Sequence, residues 1–298
     1  MTFDEMKRRI AEGEGFIAAL DQSGGSTPKA LRGYGIADDE WDGDEAMFAA
    51  IHRMRCRIVN SPSFASGKVL GAILFERTMD GCSEDGSPIP ELLSRRGVVP
   101  FLKVDKGMED EADGAQLMKP IPGLEDLCHR ARSLGVFGTK MRSVVNAPDD
   151  AGVAANIRQQ MDYALEILSF GLIPILEPEV TIGAEDRSAI EALVLSNFLY
   201  ELGRVPEGQQ VMLKLSIPAQ PGTYDALVKH PKVLRVVALS GGYDQAQACR
   251  ELAKNPGMIA SFSRALLQDL SVKQDDDEFD RILGTAIDRI CAASMAPA

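Results

Sequence analysis

Eight short apolar runs, each bounded by turn residues, recur along the 298-residue chain with helix-length stretches between them. They read GFIAALD (15–21), VLGAILFE (69–76), VVPFLKVD (98–105), FGTKMRS (137–143), GLIPILEPE (171–179), QVMLKLS (210–216), VLRVVALS (233–240) and MIASFS (258–263). Alternation of strand-length and helix-length segments is the signature of parallel βα units. The intervening stretches IRQQMDYALEILSF (157–170) and EFDRILGTAIDRICAASM (278–295) repeat apolar residues at three- and four-residue spacing. Asp275, Asp276 and Asp277 precede the second, where carboxylates favour a helix N-terminus. Only the first gap, from 21 to 76, exceeds one βα unit, so an insertion is expected there. No linker rich in Pro, Gly or Ser divides the chain, and the pattern predicts an α/β fold, a single (β/α)₈ TIM barrel over residues 1–298. The segment MEDEADGAQLMKP (108–120) is expected to be a long loop over the third strand, its acidic run facing water.

Composition narrows the function. With 45% hydrophobic and 26% charged residues the chain has the balance of a soluble globular protein. No apolar run nears the ~20 residues of a membrane span, and the N-terminus mixes both charge signs without an apolar signal core, so no membrane association and a cytoplasmic location are expected. The five cysteines are scattered, with no metal-ligand spacing, as free thiols would be. A net charge of −12 argues against nucleic acid as a partner. An anionic substrate must therefore find a local basic site.

Charges are rare in strands buried on both faces, yet here they gather at the C-terminal ends of the runs. Lys103 and Asp105, Lys140 and Arg142, and Glu177 and Glu179 each put two polar groups on one side of a strand. Asp21, Lys214, Ser240, Ser261 and Arg264 close other runs. An ion-pair network capping the barrel would explain any one pair. It would not need the carboxyl ends of the strands, which is where barrel enzymes build their active sites. Burying several ions in one basin costs several kcal/mol each before pairing, so the set points to function.

Lys214 is the most telling of these, an ammonium inside an otherwise apolar run. At its free pKa of ~10.4 a lysine cannot attack a carbonyl at neutral pH. Desolvation between Leu213 and Leu215, with Lys140 as a neighbouring cation, is expected to favour the free amine by ~3 pKa units, about 4 kcal/mol. The amine would add to a ketone, and a strand-borne carboxylic acid would protonate the departing hydroxyl to leave an iminium. That iminium accepts electrons when an adjacent carbon bond breaks. The three histidines, His52, His129 and His230, all fall away from strand ends, so no metal site and no cofactor are expected.

Two glycine-rich turns complete the picture. Run seven ends LSGGYD, where Ser240, Gly241 and Gly242 offer a hydroxyl and open backbone N–H groups at a strand-to-helix turn. A glycine pair serves a tight turn as readily as an anion, but Arg264, just past run eight, would reach the same anion. The first run ends LDQSGGSTPK, with Ser23 and Ser26 forming a second cradle and Lys103 above it. Two cradles flanking a reactive lysine suggest a substrate phosphorylated at both ends.

Taken together, FIAALDQSGGSTPKAL, GVVPFLKVDKG, FGTKMRS, IPILEPEV, VMLKLSIP, VVALSGGY and ASFSRAL resemble class I fructose-1,6-bisphosphate aldolase in its short bacterial form, colinearly from about residue 5 to 290. The resemblance implies a metal-independent Schiff-base lyase that cleaves fructose 1,6-bisphosphate reversibly to dihydroxyacetone phosphate and glyceraldehyde 3-phosphate in glycolysis and gluconeogenesis. It implies Lys214 as the Schiff-base lysine, Glu177 as the acid and base for dehydration, Asp21 as the base toward the C4 hydroxyl and Lys140 as the orienting cation. It likewise implies Arg142 and Glu179 in supporting or binding positions. Ser240, Gly241, Gly242, Ser261 and Arg264 are implied near the C1 phosphate, and Ser23, Ser26 and Lys103 near the C6 phosphate. The chain departs from the animal enzymes in ending CAASMAPA without a terminal tyrosine, and in carrying Ser263 where they have glycine. Other ketose bisphosphates (tagatose, sedoheptulose), a transaldolase-like reaction and a non-catalytic sugar-phosphate binder are the competing readings. The resemblance allows a homo-oligomer as well as a monomer, since related enzymes occur both as monomers and as tetramers.

Overall fold

In the computed structural model, which describes residues 1–297, the apolar runs become strands β1 (Phe16–Leu20), β2 (Val69–Leu74), β3 (Val99–Lys103), β5 (Gly138–Val145), β6 (Ile173–Val180), β7 (Val211–Ser216), β8 (Val233–Leu239) and β9 (Ile259–Ala260). A further two-residue strand, β4 (Ala115–Gln116), lies off the main ladder. Neighbours β1, β2, β3, β5, β6, β7, β8 and β9 pair in that order, every pair parallel. The ring closes where the Ala19 N–H donates to the Phe262 carbonyl at 3.0 Å. Every residue of β1, β2 and β7 is buried. Helices outside and packed side chains inside cover both faces, which is why these strands read as unbroken apolar runs.

The two helices expected from periodicity are present and slightly longer, at Asp150–Ser169 and Asp276–Ser294. Asp149 and Asp275 cap them, their carboxylates accepting from the N–H of Gly152 and Glu278 at 2.8 Å. The insertion after β1 consists of helices Ser26–Tyr34 and Gly43–Asn60. Helix Phe3–Glu12 covers the N-terminal end of the barrel, with Phe3 against Phe137 at 4.8 Å between ring centroids and the Ala11 carbonyl held by Arg235.

Two expectations change. Residues 108–120 are not a plain loop, because β4 pairs antiparallel with the end of β5, Ala115 opposite Val145 and Gln116 opposite Val144. Its turn uses Asp113 and Gly114 at positive φ, and a Cβ on Gly114 would stand 2.5 Å from that of Ala147. The acidic residues Glu109, Asp110 and Glu111 are exposed, as expected. The eighth barrel strand is also shorter than its run: β9 keeps two residues, and a short helix begins at Arg264.

Candidate active site

The strands deliver their polar ends to one cavity of about 1190 Å³ at the carboxyl mouth of the barrel. At its floor Lys140 of β5, Glu177 of β6, Lys214 of β7 and Asp21, one residue past β1, are all nearly buried. Register explains their meeting. Arg142 pairs with Glu177 and Leu176 with Leu213, so Lys140, Glu177 and Lys214 all project inward within a few residues of one level. Lys140 Nζ stands 2.6 Å from Asp21 Oδ2 and 2.9 Å from Glu177 Oε2. Lys214 Nζ stands 3.0 Å from Glu177 Oε1. The two lysines thus share one carboxylate, Glu177, which stands between them. Glu177 Oε2, although charge-paired with Lys140, makes no hydrogen bond among the described residues.

The cluster fixes its own charge states. Burial pushes the Asp21 carboxyl up, but Lys140, Lys214 and Lys103 outweigh it and hold the group well below the usual carboxylate range. Burial acts on Glu177 in the same sense, and Lys140 and Lys214 again prevail, so it too is lowered. For Lys140 burial works downward, while Asp21, Glu177 and Asp105 together keep the ammonium well above its ordinary value. At neutral pH the floor therefore holds ionised carboxylates around a permanent cation.

Backbone support comes from the outer helix Asp150–Ser169. Gln160 Oε1 accepts from the Glu177 N–H at 2.8 Å, while its Nε2 donates to Ser143 Oγ. Ser143 in turn donates to Asn156 Oδ1 at 2.7 Å. This buried network locks the ends of β5 and β6 together behind the cavity wall. Around the rim Lys103 Nζ pairs with Asp105 Oδ1 at 2.7 Å, the other Asp105 oxygen accepts from the Arg142 N–H, and the Arg142 side chain grips Glu179. Lys103, Asp105, Arg142 and Glu179 all line the cavity.

The two glycine-rich turns face this cavity unequally. Ser23 and Ser26 line it at the start of helix Ser26–Tyr34, where Ser26 Oγ donates to the Ser23 carbonyl and accepts from its N–H. Lys29, one turn along, joins them on the wall. Across the cavity, Gly242 and Arg264 line the wall, and Arg264 Nη2 lies 3.7 Å from where a Gly242 Cβ would stand. Ser240, Gly241 and Ser261 are adjacent in the chain but do not form part of the wall. Gly241 at φ +60 shapes the turn instead: a Cβ there would come within 2.4 Å of Ile182 Cγ2. The buried Ser261 hydroxyl has no partner among the described residues. Sequence reasoning missed Gln160, Gln22 and Arg55. Gln22 lines the cavity next to Asp21, and Arg55, fully buried on helix Gly43–Asn60, bonds to it from outside the wall.

A parallel barrel with an amine beside an ionised carboxylate at its carboxyl mouth is the equipment of a lyase that works through a Schiff base. Residues 3–214 match the family described as fructose-bisphosphate aldolase class-I. The chain is 49% identical over 292 residues to the "Fructose-bisphosphate aldolase class 1" of Porphyromonas gingivalis, covering 98% of this chain and 99% of that one. It is equally 49% identical over 292 residues to the protein of that name from Synechocystis, covering 98% and 97%. Among solved structures, a Plasmodium falciparum fructose-bisphosphate aldolase superposes with a TM-score of 0.81 at 21% identity, covering 99% of this chain and 95% of that one. An archaeal fructose-1,6-bisphosphate aldolase, trapped with its catalytic lysine bound to a carbinolamine, superposes at 0.51 and 14% identity, covering 97% and 100%. The chain belongs to the class I fructose-bisphosphate aldolase family.

Proposed function

We propose that this chain cleaves fructose 1,6-bisphosphate reversibly to dihydroxyacetone phosphate and glyceraldehyde 3-phosphate through a Schiff base on Lys214, acting as one barrel unit over residues 1–298 in the cytoplasm. The observation that carries this reading is Glu177 set between Lys214 and Lys140, with Asp21 on the far side of Lys140.

The chemistry follows from those contacts. Glu177, 3.0 Å from Lys214, takes a proton from its ammonium and frees the amine to add to the C2 carbonyl of the open-chain sugar. The same proton is then returned to the carbinolamine hydroxyl, which leaves as water and forms the iminium. Asp21, held ionised beside Lys140, removes the C4 hydroxyl proton. The C3–C4 bond breaks, the new C4 carbonyl departs as the aldehyde, and the bond electrons pass into the iminium to give an enamine. Protonation at C3 and hydrolysis release dihydroxyacetone phosphate and the lysine. Lys140 stabilises the ionised carboxylates through the cycle and orients the sugar hydroxyls.

For the phosphates, Gly242 and Arg264 form the C1 side, with Ser240, Gly241 and Ser261 supporting their turns from beneath, and Ser23, Ser26 and Lys103 form the C6 side. Arg142 and Glu179 hold the rim between them. This division is supported by Ser23, Ser26, Lys103, Gly242 and Arg264 lining one cavity that also contains Lys214. Incubation with dihydroxyacetone phosphate and borohydride, followed by peptide mapping, tests the reading. A reduced adduct on Lys214 is expected; an adduct on another residue, or none, overturns it.

A further inference from the structure

Arg55 is one of the most deeply buried side chains in the protein, 1% exposed, and it does not line the cavity. Among the described residues no carboxylate forms a salt bridge with it. A guanidinium so placed is costly unless its donors are used and a counter-charge is near. Its two Nη groups bond to two elements, while its Nε has no partner among the described residues. Nη1 donates to Thr78 Oγ1 at 2.7 Å, beyond the end of β2, and Nη2 donates to both the backbone carbonyl and the side-chain Oε1 of Gln22, at 2.5 and 3.1 Å. The counter-charge is Asp21. Burial pushes Arg55 down to about 10 while the Asp21 carboxylate works against that fall, so the group stays cationic at neutral pH.

Gln22 follows Asp21 directly, and its carbonyl belongs to the Gln22–Ser23 peptide, one residue beyond that carboxylate. A guanidinium has only donors, so it also settles which way the Gln22 amide faces. With Oε1 turned to Arg55, Nε2 points to the Ser263 hydroxyl at 2.7 Å and to the Ala19 carbonyl at 3.2 Å. Ser263 immediately precedes Arg264 and stands at the N-cap of the short helix Arg264–Leu267. One cation thus reaches, through a single amide, the turn carrying the proposed cleavage base and the turn carrying the proposed phosphate arginine.

We propose that Arg55 is a positioning residue that couples Asp21 to the Ser263–Arg264 turn through Gln22, so that proton removal and phosphate grip are set by one buried bond network. This rests on the Schiff-base reading above. Lys214 lies outside the network, so at saturating dihydroxyacetone phosphate the adduct still forms on it when the network is changed.

A mutant cycle tests the coupling with the full-length protein. Arg55→Lys keeps the charge but cannot bond Thr78 and both Gln22 oxygens, and is expected to lower kcat/KM for fructose 1,6-bisphosphate at least tenfold. It should still form the borohydride-trapped adduct of dihydroxyacetone phosphate on Lys214. Ser263→Ala, which leaves Arg55 intact, is expected to lose several-fold, and the double variant no more than the worse single. Losses that multiply, or an Arg55→Lys enzyme within twofold of the parent, overturn the coupling. Should Arg55→Lys fail to fold, Gln22→Met takes its place in the same cycle under the same criterion. Absence of the adduct in the parent protein would instead remove the Schiff-base reading and this inference with it, an outcome separable from multiplying losses in an enzyme that does form it.

Discussion

Lys214 and Lys140 lie against opposite oxygens of Glu177, the first 3.0 Å from Oε1 and the second 2.9 Å from Oε2. The two lysines thereby have different work. Lys140 also holds Asp21 at 2.6 Å and is locked as a cation between two carboxylates, whereas Lys214 forms a salt bridge with Glu177 alone among the described residues.

Arginine at position 214 would retain the charge but could not deprotonate to attack a carbonyl. Lys214→Arg is expected to lower cleavage by more than about 10³-fold, the scale on which loss of a nucleophile is felt, while still binding the bisphosphate. A coupled assay for triose release, set beside a binding isotherm, checks both halves. Turnover within tenfold of the parent would move the nucleophile elsewhere.

Removing Lys140 leaves two buried carboxylates without their shared cation. Lys140→Met is expected to cost about 3–5 kcal/mol of stability and to reduce turnover by at least ~10²-fold. The pH dependence has a definite sign. Asp21 and Glu177 have lowered values in the fold, so their contribution is present above their ordinary values near 3.9 and 4.3 and is lost as pH falls through the lower folded ones. Lys140 is raised, so its contribution is complete below about 10.4 and is lost only at higher alkalinity. The parent should therefore hold a flat melting temperature from roughly pH 5 to pH 9 as far as these groups are concerned. In Lys140→Met the acid decline should begin at higher pH, and coincident acid limbs for the two proteins would show that Lys140 does not hold the carboxylates ionised.

Arg264 is exposed on the cavity wall beside Gly242. A charge-assisted hydrogen bond contributes about 1.5–3 kcal/mol, so Arg264→Ala is expected to raise KM for the bisphosphate by roughly 10- to 100-fold with a smaller change in kcat. An unchanged KM would count against a phosphate contact there.

With the lysine as electrophile carrier, cleavage should survive excess EDTA at full rate. Initial rates before and after prolonged chelation measure this. Loss of activity restored by a divalent ion would require a different mechanism.

The barrel was legible because strands buried on both faces must be apolar throughout, and their charged ends then stand out against that background. Lys140, Glu177 and Lys214, which meet at the barrel mouth, stand out in this way. Their contacts do not, since which carboxylate oxygen meets which lysine depends on inter-strand register and side-chain geometry. Gln160 and Asn156 support the site from a helix, and Arg55 from another; each lies on an otherwise apolar stripe, Arg55 four residues after Ile51 and three before Ile58. A polar residue on a buried helical face is the signal that could have revealed them. Ser240 and Ser261 show the opposite limit. Position at a strand end does not decide whether a side chain reaches the cavity surface, and these two are buried away from it.

The barrel's closure has a thermodynamic corollary. β9 contributes only two residues, and the Ala19–Phe262 bond, made two residues beyond it, closes the ring onto β1 just below Asp21 and Ser263. Ring seam and substrate cradle are therefore the same place. A ligand held by the turns on both sides of that seam would act as a staple across it, and hydrogen exchange at the Ala19 amide is expected to slow as such a ligand fills the mouth.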